Sequence, residues 1–140
     1  MDSLYTAVAT AKGGRAGHVR SSDGVLDLAL AYPKELGGPG GDATNPEQLF
    51  AAGYAACFEN ALMRVAREKK APLKDSSVTA HVSIGREEDG FFRLAVTLTV
   101  NAPGRERAEI EDFARIAHEE VCPYSRATRG NIDVTVTVVD

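Results

Sequence analysis

A chain of 140 residues with 44% apolar and 26% charged side chains has the composition of one globular domain with a core of its own. Its 16 basic and 20 acidic residues leave a formal charge of −4, the wrong sign for a protein whose main partner is a phosphate backbone, so nucleic acid is excluded in that role. The longest apolar run, residues 49–58, is about half of the ~20 residues a membrane-spanning helix requires, and the opening residues lack the basic and apolar segments of a secretory signal.

A cytoplasmic protein without structural disulfides is therefore expected, organised as a single domain over residues 1–140. Along the chain, residues 4–10 alternate in the manner of a strand, and Gly13-Gly14 turns it. Residues 18–21 supply a short return strand. After the Ser22-Asp23-Gly24 turn, residues 25–30 place Leu26, Leu28 and Leu30 on one face of a third strand. Residues 32–43 carry so many glycines and prolines that they can only be loop.

A helix start is then written twice. Thr44 and Glu47 have capping-box spacing, and Asn45 before Pro46 reads as an N-cap followed by proline at the first helical position. The helix is expected to reach Arg67 or Lys70, with basic residues toward the end where the helix dipole favours them. Its first three turns are apolar or small on every side, so it must be covered all round. One sheet covers one side, and a second copy of the protein is expected on the other.

Beyond Pro72, residues 78–84 and 92–100 alternate around a Glu88-Asp89-Gly90 turn and form a hairpin. Ile110, Phe113, Ile116 and Val121 then recur at helical spacing until Cys122-Pro123, where proline disfavours helical geometry in the residue before it. An irregular segment through Gly130 leads to a β-branched strand over residues 132–139. The fold class is α+β, a largely antiparallel sheet of about six strands with a long central helix and a second helix.

Few residues are candidates for chemistry. Gly37-Gly38-Pro39-Gly40-Gly41 lacks the Gly-Lys-Ser/Thr ending of a phosphate loop, and no two of His18, His81 and His118 have metal-ligand spacing, so neither nucleotide nor metal is expected. Cys57 and Cys122, the two cysteines, are far apart and in no CxxC motif, which excludes a zinc knuckle or thioredoxin-type pair. His118 stands four residues before Cys122, as a Cys/His dyad would require, yet a surface histidine is the simpler reading. Cys57 reads either as a small core hydrophobe or as a reactive thiol. As a reactive thiol it lies too far into its helix for the dipole to help, and burial raises a thiol pKa, so it needs an imported cation. Arg15 is a candidate, held by Glu47 in a bidentate pair; a solvated turn arginine and a capping glutamate are the alternatives. Cys122 is equally readable as a residue that merely ends a helix.

Two segments go further. Thr44-Asn45-Pro46-Glu47-Gln48-Leu49-Phe50-Ala51-Ala52-Gly53-Tyr54-Ala55-Ala56-Cys57-Phe58 and Val121-Cys122-Pro123-Tyr124-Ser125-Arg126-Ala127-Thr128-Arg129-Gly130-Asn131 resemble the two signature segments of the organic hydroperoxide resistance proteins (Ohr), a branch of the OsmC-like superfamily. The likeness spans the whole chain, Gly14-Arg15-Ala16-Gly17 included. It implies an intertwined homodimer of OsmC-like fold and a thiol peroxidase that needs no cofactor and no metal. Cys57 would be the peroxidatic thiolate, Cys122 the thiol that resolves its sulfenate as an intramolecular disulfide, and Arg15 with Glu47 the polar part of the site. Phe50, Tyr54 and Phe58 would wall a pocket for organic hydroperoxides. The implied reductant is a dithiol, dihydrolipoamide or a lipoylated protein. A non-catalytic small-ligand carrier and a redox sensor remain as rival uses of the same apolar dimer pocket.

Overall fold

Strands and helices follow one another in the expected order in the computed structural model, which describes all 140 residues, with one short helix added near the end. The six strands do not join in one sheet: they form two sheets of three, and the chain divides correspondingly into units Met1–Leu49 and Phe50–Asp140.

In the first unit, β1 (Ala9–Lys12), β2 (His18–Ser21) and β3 (Asp27–Ala29) make an antiparallel meander with Ala11 opposite Val19 and Val19 opposite Leu28. β1 is shorter and later than the alternation at residues 4–10 predicts. A strand extends only as far as its partner, and β2 stops at Ser21 where the turn begins, so Leu4 and Tyr5 stay exposed. Between β1 and β2 the chain makes a 3-10 turn, Gly14–Ala16, entered by Gly13 at φ 83°. Gly17 closes it so tightly that a Cβ there would stand 1.8 Å from the Lys12 carbonyl oxygen. The Gly/Pro-rich segment is a loop as expected, with one 3-10 turn at Lys34–Leu36, and its ends are stitched by Thr44, whose N–H donates to Ala29 O and whose carbonyl accepts from Ala31 N, both at 3.0 Å.

In the second unit, β4 (Ser77–Arg86) pairs antiparallel with β5 (Phe92–Asn101), and β6 (Asp133–Val139) lies parallel to β5 on its other side. The register sets apolar rows across all three strands: Val82, Val96 and Val134; Ala80, Leu98 and Val136; Val78, Val100 and Val138. A parallel neighbour requires a crossover, and α2 (Arg107–Ile116) supplies it. The core joins these rows to Ile110 and Phe113 of α2 and to Phe58, Leu62 and Val65 of α1 (Pro46–Glu68). Each such large side chain taken fully out of water contributes about 1.5–3 kcal/mol.

α1 starts as one of its two signals predicts. Asn45 is the N-cap, its Oδ1 accepting from Gln48 N at 2.9 Å, with Pro46 at the first helical position. The capping box does not form: Thr44 donates to the Gln48 side chain instead, and Glu47 is engaged elsewhere. At the far end Lys70 adopts φ 59°, and Ala71 N and Lys70 N return to Ala66 O and Arg67 O, a Schellman closure with lysine in the position glycine usually holds. One face of α1, through Tyr54, Phe58, Ala61, Leu62 and Val65, is buried; Ala52, Ala56, Asn60 and Met63 on another face are exposed.

The segment after α2 corrects the expected irregular stretch. Its helix continues as a π-helical turn, Ala117–Val121, closed by Cys122 N donating to Ala117 O at 2.8 Å. Cys122 is extended, as a residue before proline should be, and α3 (Pro123–Thr128) starts at once. The sequence hides α3 because Cys122 is its N-cap: the sulfur accepts from Ser125 N at 3.4 Å, a task the usual capping residues perform with oxygen.

Candidate active site

In the first unit the 3-10 turn presents Arg15 to the first turn of α1. Nη1 and Nη2 donate to Oε2 and Oε1 of Glu47 at 2.8 and 2.6 Å, a fork-to-fork pair that fixes the guanidinium plane. Glu47 is the more buried partner. The pair holds the Glu47 carboxyl below its ordinary range and pushes Arg15 upward, so both stay ionised. Of the alternatives left open by the sequence, the capping glutamate is set aside, because both Glu47 oxygens accept from Arg15.

In the second unit the fold brings the two cysteines together. Cys57, on α1, and Cys122, between the π-helical turn and α3, have their sulfurs 3.7 Å apart as free thiols. Successive main-chain N–H groups serve them: Tyr124 N toward Cys57, Ser125 N toward Cys122. Cys122 is buried and Cys57 half-buried. Burial is the largest influence on Cys57 and pushes its thiol pKa up; the Tyr124 N–H works against that, and proximity to Cys122 adds to it.

Around the sulfurs the aromatic side chains divide. Tyr54 and Phe58 have no exposed surface and belong to the core; Phe50 is half-buried, and Tyr124 shows 41% of its surface. Phe50, Tyr54 and Tyr124 form a triangle of rings with centroids 5.7–6.3 Å apart. Tyr124 can lie there because residue 53 is glycine, whose missing Cβ would stand 2.9 Å from the tyrosine hydroxyl. Sequence reading missed Tyr124 in this role, and it missed Ser125 and Thr128, whose side-chain oxygens lie 2.9 and 3.1 Å from the Tyr54 hydroxyl. Their signal was the Cys-Pro pair, which ends one helix and begins another.

His118 is a further correction. It is half-buried, with Nδ1 2.8 Å from Ser125 Oγ, and burial lowers its pKa. No three His, Cys, Asp or Glu side chains converge in a way that could hold a metal ion. Chemically, two free thiols 3.7 Å apart are close enough to be joined as a disulfide by an oxidant.

The family profile of OsmC-like proteins matches residues 38–137. The chain belongs to the OsmC/Ohr family. It is 54% identical over 136 residues to the organic hydroperoxide resistance protein of Xanthomonas axonopodis pv. citri, covering 96% of this chain and 94% of that one. Against the organic hydroperoxide resistance protein OhrB of Bacillus subtilis the identity is 52%, covering 94% and 95%. The crystal structure of an organic hydroperoxide resistance protein OsmC from Legionella pneumophila superposes with a TM-score of 0.93 at 52% identity, covering 99% of this chain and 100% of that one. The OsmC/Ohr fold expected from the two signature segments is thus the fold observed.

Proposed function

We propose that this OsmC/Ohr protein is a cysteine peroxidase that reduces organic hydroperoxides to alcohols. The observation that carries the reading is the pair of free sulfurs 3.7 Å apart, and the names of its close relatives supply the substrate class. The Cys57 thiolate attacks the distal oxygen of ROOH; the O–O bond breaks, a sulfenic acid forms, and RO⁻ leaves as ROH after taking a proton. Cys122 then attacks the sulfenate sulfur, the S–O bond breaks, an S–S bond forms, and water departs with the thiol proton. An external dithiol, by family resemblance dihydrolipoamide or a lipoylated protein, returns the disulfide to two thiols and is itself oxidised to a disulfide.

Because burial pushes Cys57 upward, a reactive thiolate needs positive potential. We assign that task, by family resemblance, to Arg15, whose guanidinium plane Glu47 fixes. Phe50 and Tyr124 are the aromatic surface offered to the alkyl group, backed by Tyr54 and Phe58. A homodimer is supported by the exposed stripe Ala52, Ala56 and Met63 on α1 and by the first unit's sheet, whose β1 residues are all exposed. No helix is long and apolar enough to cross a membrane.

The test is peroxide consumption under turnover with dihydrolipoamide and, separately, with a monothiol. Sustained consumption with the dithiol supports the peroxidase. Stoichiometric oxidation that stops after one cycle supports a redox sensor, and binding of alkyl hydroperoxide without oxidation of either cysteine supports a carrier.

A further inference from the structure

One buried cluster is untouched by this chemistry. The hydroxyl of Tyr54 lies 2.9 Å from Ser125 Oγ and 3.1 Å from Thr128 Oγ1, and Ser125 Oγ lies 2.8 Å from His118 Nδ1. Tyr54 and Ser125 have no exposed surface and Thr128 almost none, yet no buried polar side-chain atom lacks a partner. Apolar residues would fill the same volume without the desolvation of these groups. What hydrogen bonds add is fixed distance and direction, which packing alone does not supply.

We propose that His118 and Ser125 are positioning residues that hold the Cys122 sulfur in line for closure of the Cys57–Cys122 disulfide. His118 stands four residues before Cys122 and Ser125 three after it, so the bond between their side chains closes a loop with Cys122 inside. Ser125 is also the residue whose main-chain N–H donates to the Cys122 sulfur. Tyr54, three residues before Cys57 on α1, ties that loop to the helix bearing the other sulfur. The chain of contacts therefore runs from one sulfur's helix, through two hydroxyl groups and an imidazole, to the other sulfur's cap. Arg129 adds to it by donating to the His118 carbonyl oxygen. The His118 ring, depressed in pKa mainly by burial and further by Arg129, stays neutral at neutral pH and needs no counter-charge there.

Closure takes the sulfurs from 3.7 Å to the bonded distance of about 2.05 Å. In that step the Cys122 sulfur attacks the Cys57 sulfenic sulfur, the S–O bond breaks, and the hydroxyl leaves as water with the thiol proton. A second hydroperoxide competes for the same sulfenate and drives it to sulfinate. A loosened Cys122 slows the first route only. The assignment rests on the peroxidase reading for its biological meaning, but its geometry is tested without peroxide.

The experiment uses the full chain and three variants. His118→Phe keeps a ring near Phe58, 6.5 Å away between centroids, and removes the hydrogen bond; His118→Asn keeps a polar atom near the place of Nδ1 and removes the ring. Ser125→Ala removes the central hydroxyl. In single turnover with tert-butyl hydroperoxide, Cys57 oxidation should stay within about twofold of the parent, while the share of chains ending as sulfinate rises about tenfold in His118→Phe and Ser125→Ala, the factor one net hydrogen bond is worth. His118→Asn should restore most of the parent partition. Disulfide formation by diamide should slow in the same order. Parent-like partition and closure in His118→Phe, with the defect in His118→Asn instead, would make His118 a packing residue and overturn the proposal. Since His118 is half-buried, this pair decides the matter even where Ser125→Ala fails to fold. If the parent does not consume hydroperoxide but the variants still close slowly with diamide, the positioning stands and the peroxidase reading falls.

Discussion

The Tyr124 hydroxyl occupies the space a Cβ on residue 53 would need, 2.9 Å from that position, so a glycine in the middle of α1 lets an aromatic ring lie against the helix. Gly53→Ala should gain helix propensity of about 1 kcal/mol and lose part of it by tilting the Tyr124 ring, leaving stability nearly unchanged. Its effect should appear in chemistry. Tyr124 offers its ring beside Phe50 and its main-chain N–H to Cys57, so kcat/KM for a bulky hydroperoxide should fall several-fold more than for hydrogen peroxide. Equal losses for both would mean that only the N–H was disturbed.

Cys57 and Cys122 should behave unequally. Cys57→Ser abolishes hydroperoxide reduction, whereas Cys122→Ser consumes about one equivalent and then stalls as sulfenate or a more oxidised acid, because the first step does not need the second thiol. Mass spectrometry of each variant after one equivalent of oxidant distinguishes them. Normal oxidation of Cys122 in Cys57→Ser would reverse the assignment.

Arg15→Ala should move the pH profile of Cys57 alkylation to higher pH and slow oxidation, since burial already pushes that thiol upward. Arg15→Lys should restore little, because a point charge cannot make the two parallel bonds to Glu47. The same pair has a sign in stability. Glu47 is depressed in the folded state, so its contribution is full above the ordinary carboxylate value of 4.5 and is lost as pH falls through the lower folded value. Arg15→Ala should therefore weaken the protein at neutral pH and flatten its acid limb. An unchanged alkylation profile removes Arg15 from the mechanism.

How much of this was legible in the sequence depends on how local each signal is. The hairpin of β4 and β5 and the start of α1 at Asn45-Pro46 are written in neighbouring residues and were read correctly. The parallel placement of β6 is decided by a crossover, which alternation within residues 132–139 does not encode. β1 was misplaced because its length is set by β2. The pairs Arg15–Glu47 and Cys57–Cys122 were suggested by family resemblance and chemistry; their contact distances belong to tertiary structure alone. Tyr124, Ser125 and Thr128 were missed because a thiol caps α3, and no propensity scale treats cysteine as a helix start.

Lys70 gives a prediction independent of function. At φ 59° it holds the left-handed position that closes α1, where a side chain is strained and glycine is not. Lys70→Gly should stabilise the fold by roughly 0.5–1 kcal/mol, relief of strain exceeding the added entropy of the unfolded chain. The check is a higher denaturant midpoint with an unchanged m-value.

Substrate choice should follow from the aromatic surface beside Cys57. Hydrogen peroxide gains nothing from Phe50 and Tyr124. Each methylene of an alkyl hydroperoxide that leaves water gains roughly 0.8 kcal/mol, so two or three of them favour the bulkier peroxide by about one to two powers of ten through binding alone. Where that binding also aligns the O–O bond with the Cys57 sulfur, the preference appears in kcat/KM and exceeds the binding contribution. The measurement is the second-order rate constant for Cys57 oxidation by hydrogen peroxide and by tert-butyl, cumene and fatty-acid hydroperoxides. A rise along that series that shrinks in Phe50→Ala would tie the preference to the ring. Equal constants throughout would make Phe50 and Tyr124 ordinary packing residues, with no part in recognition.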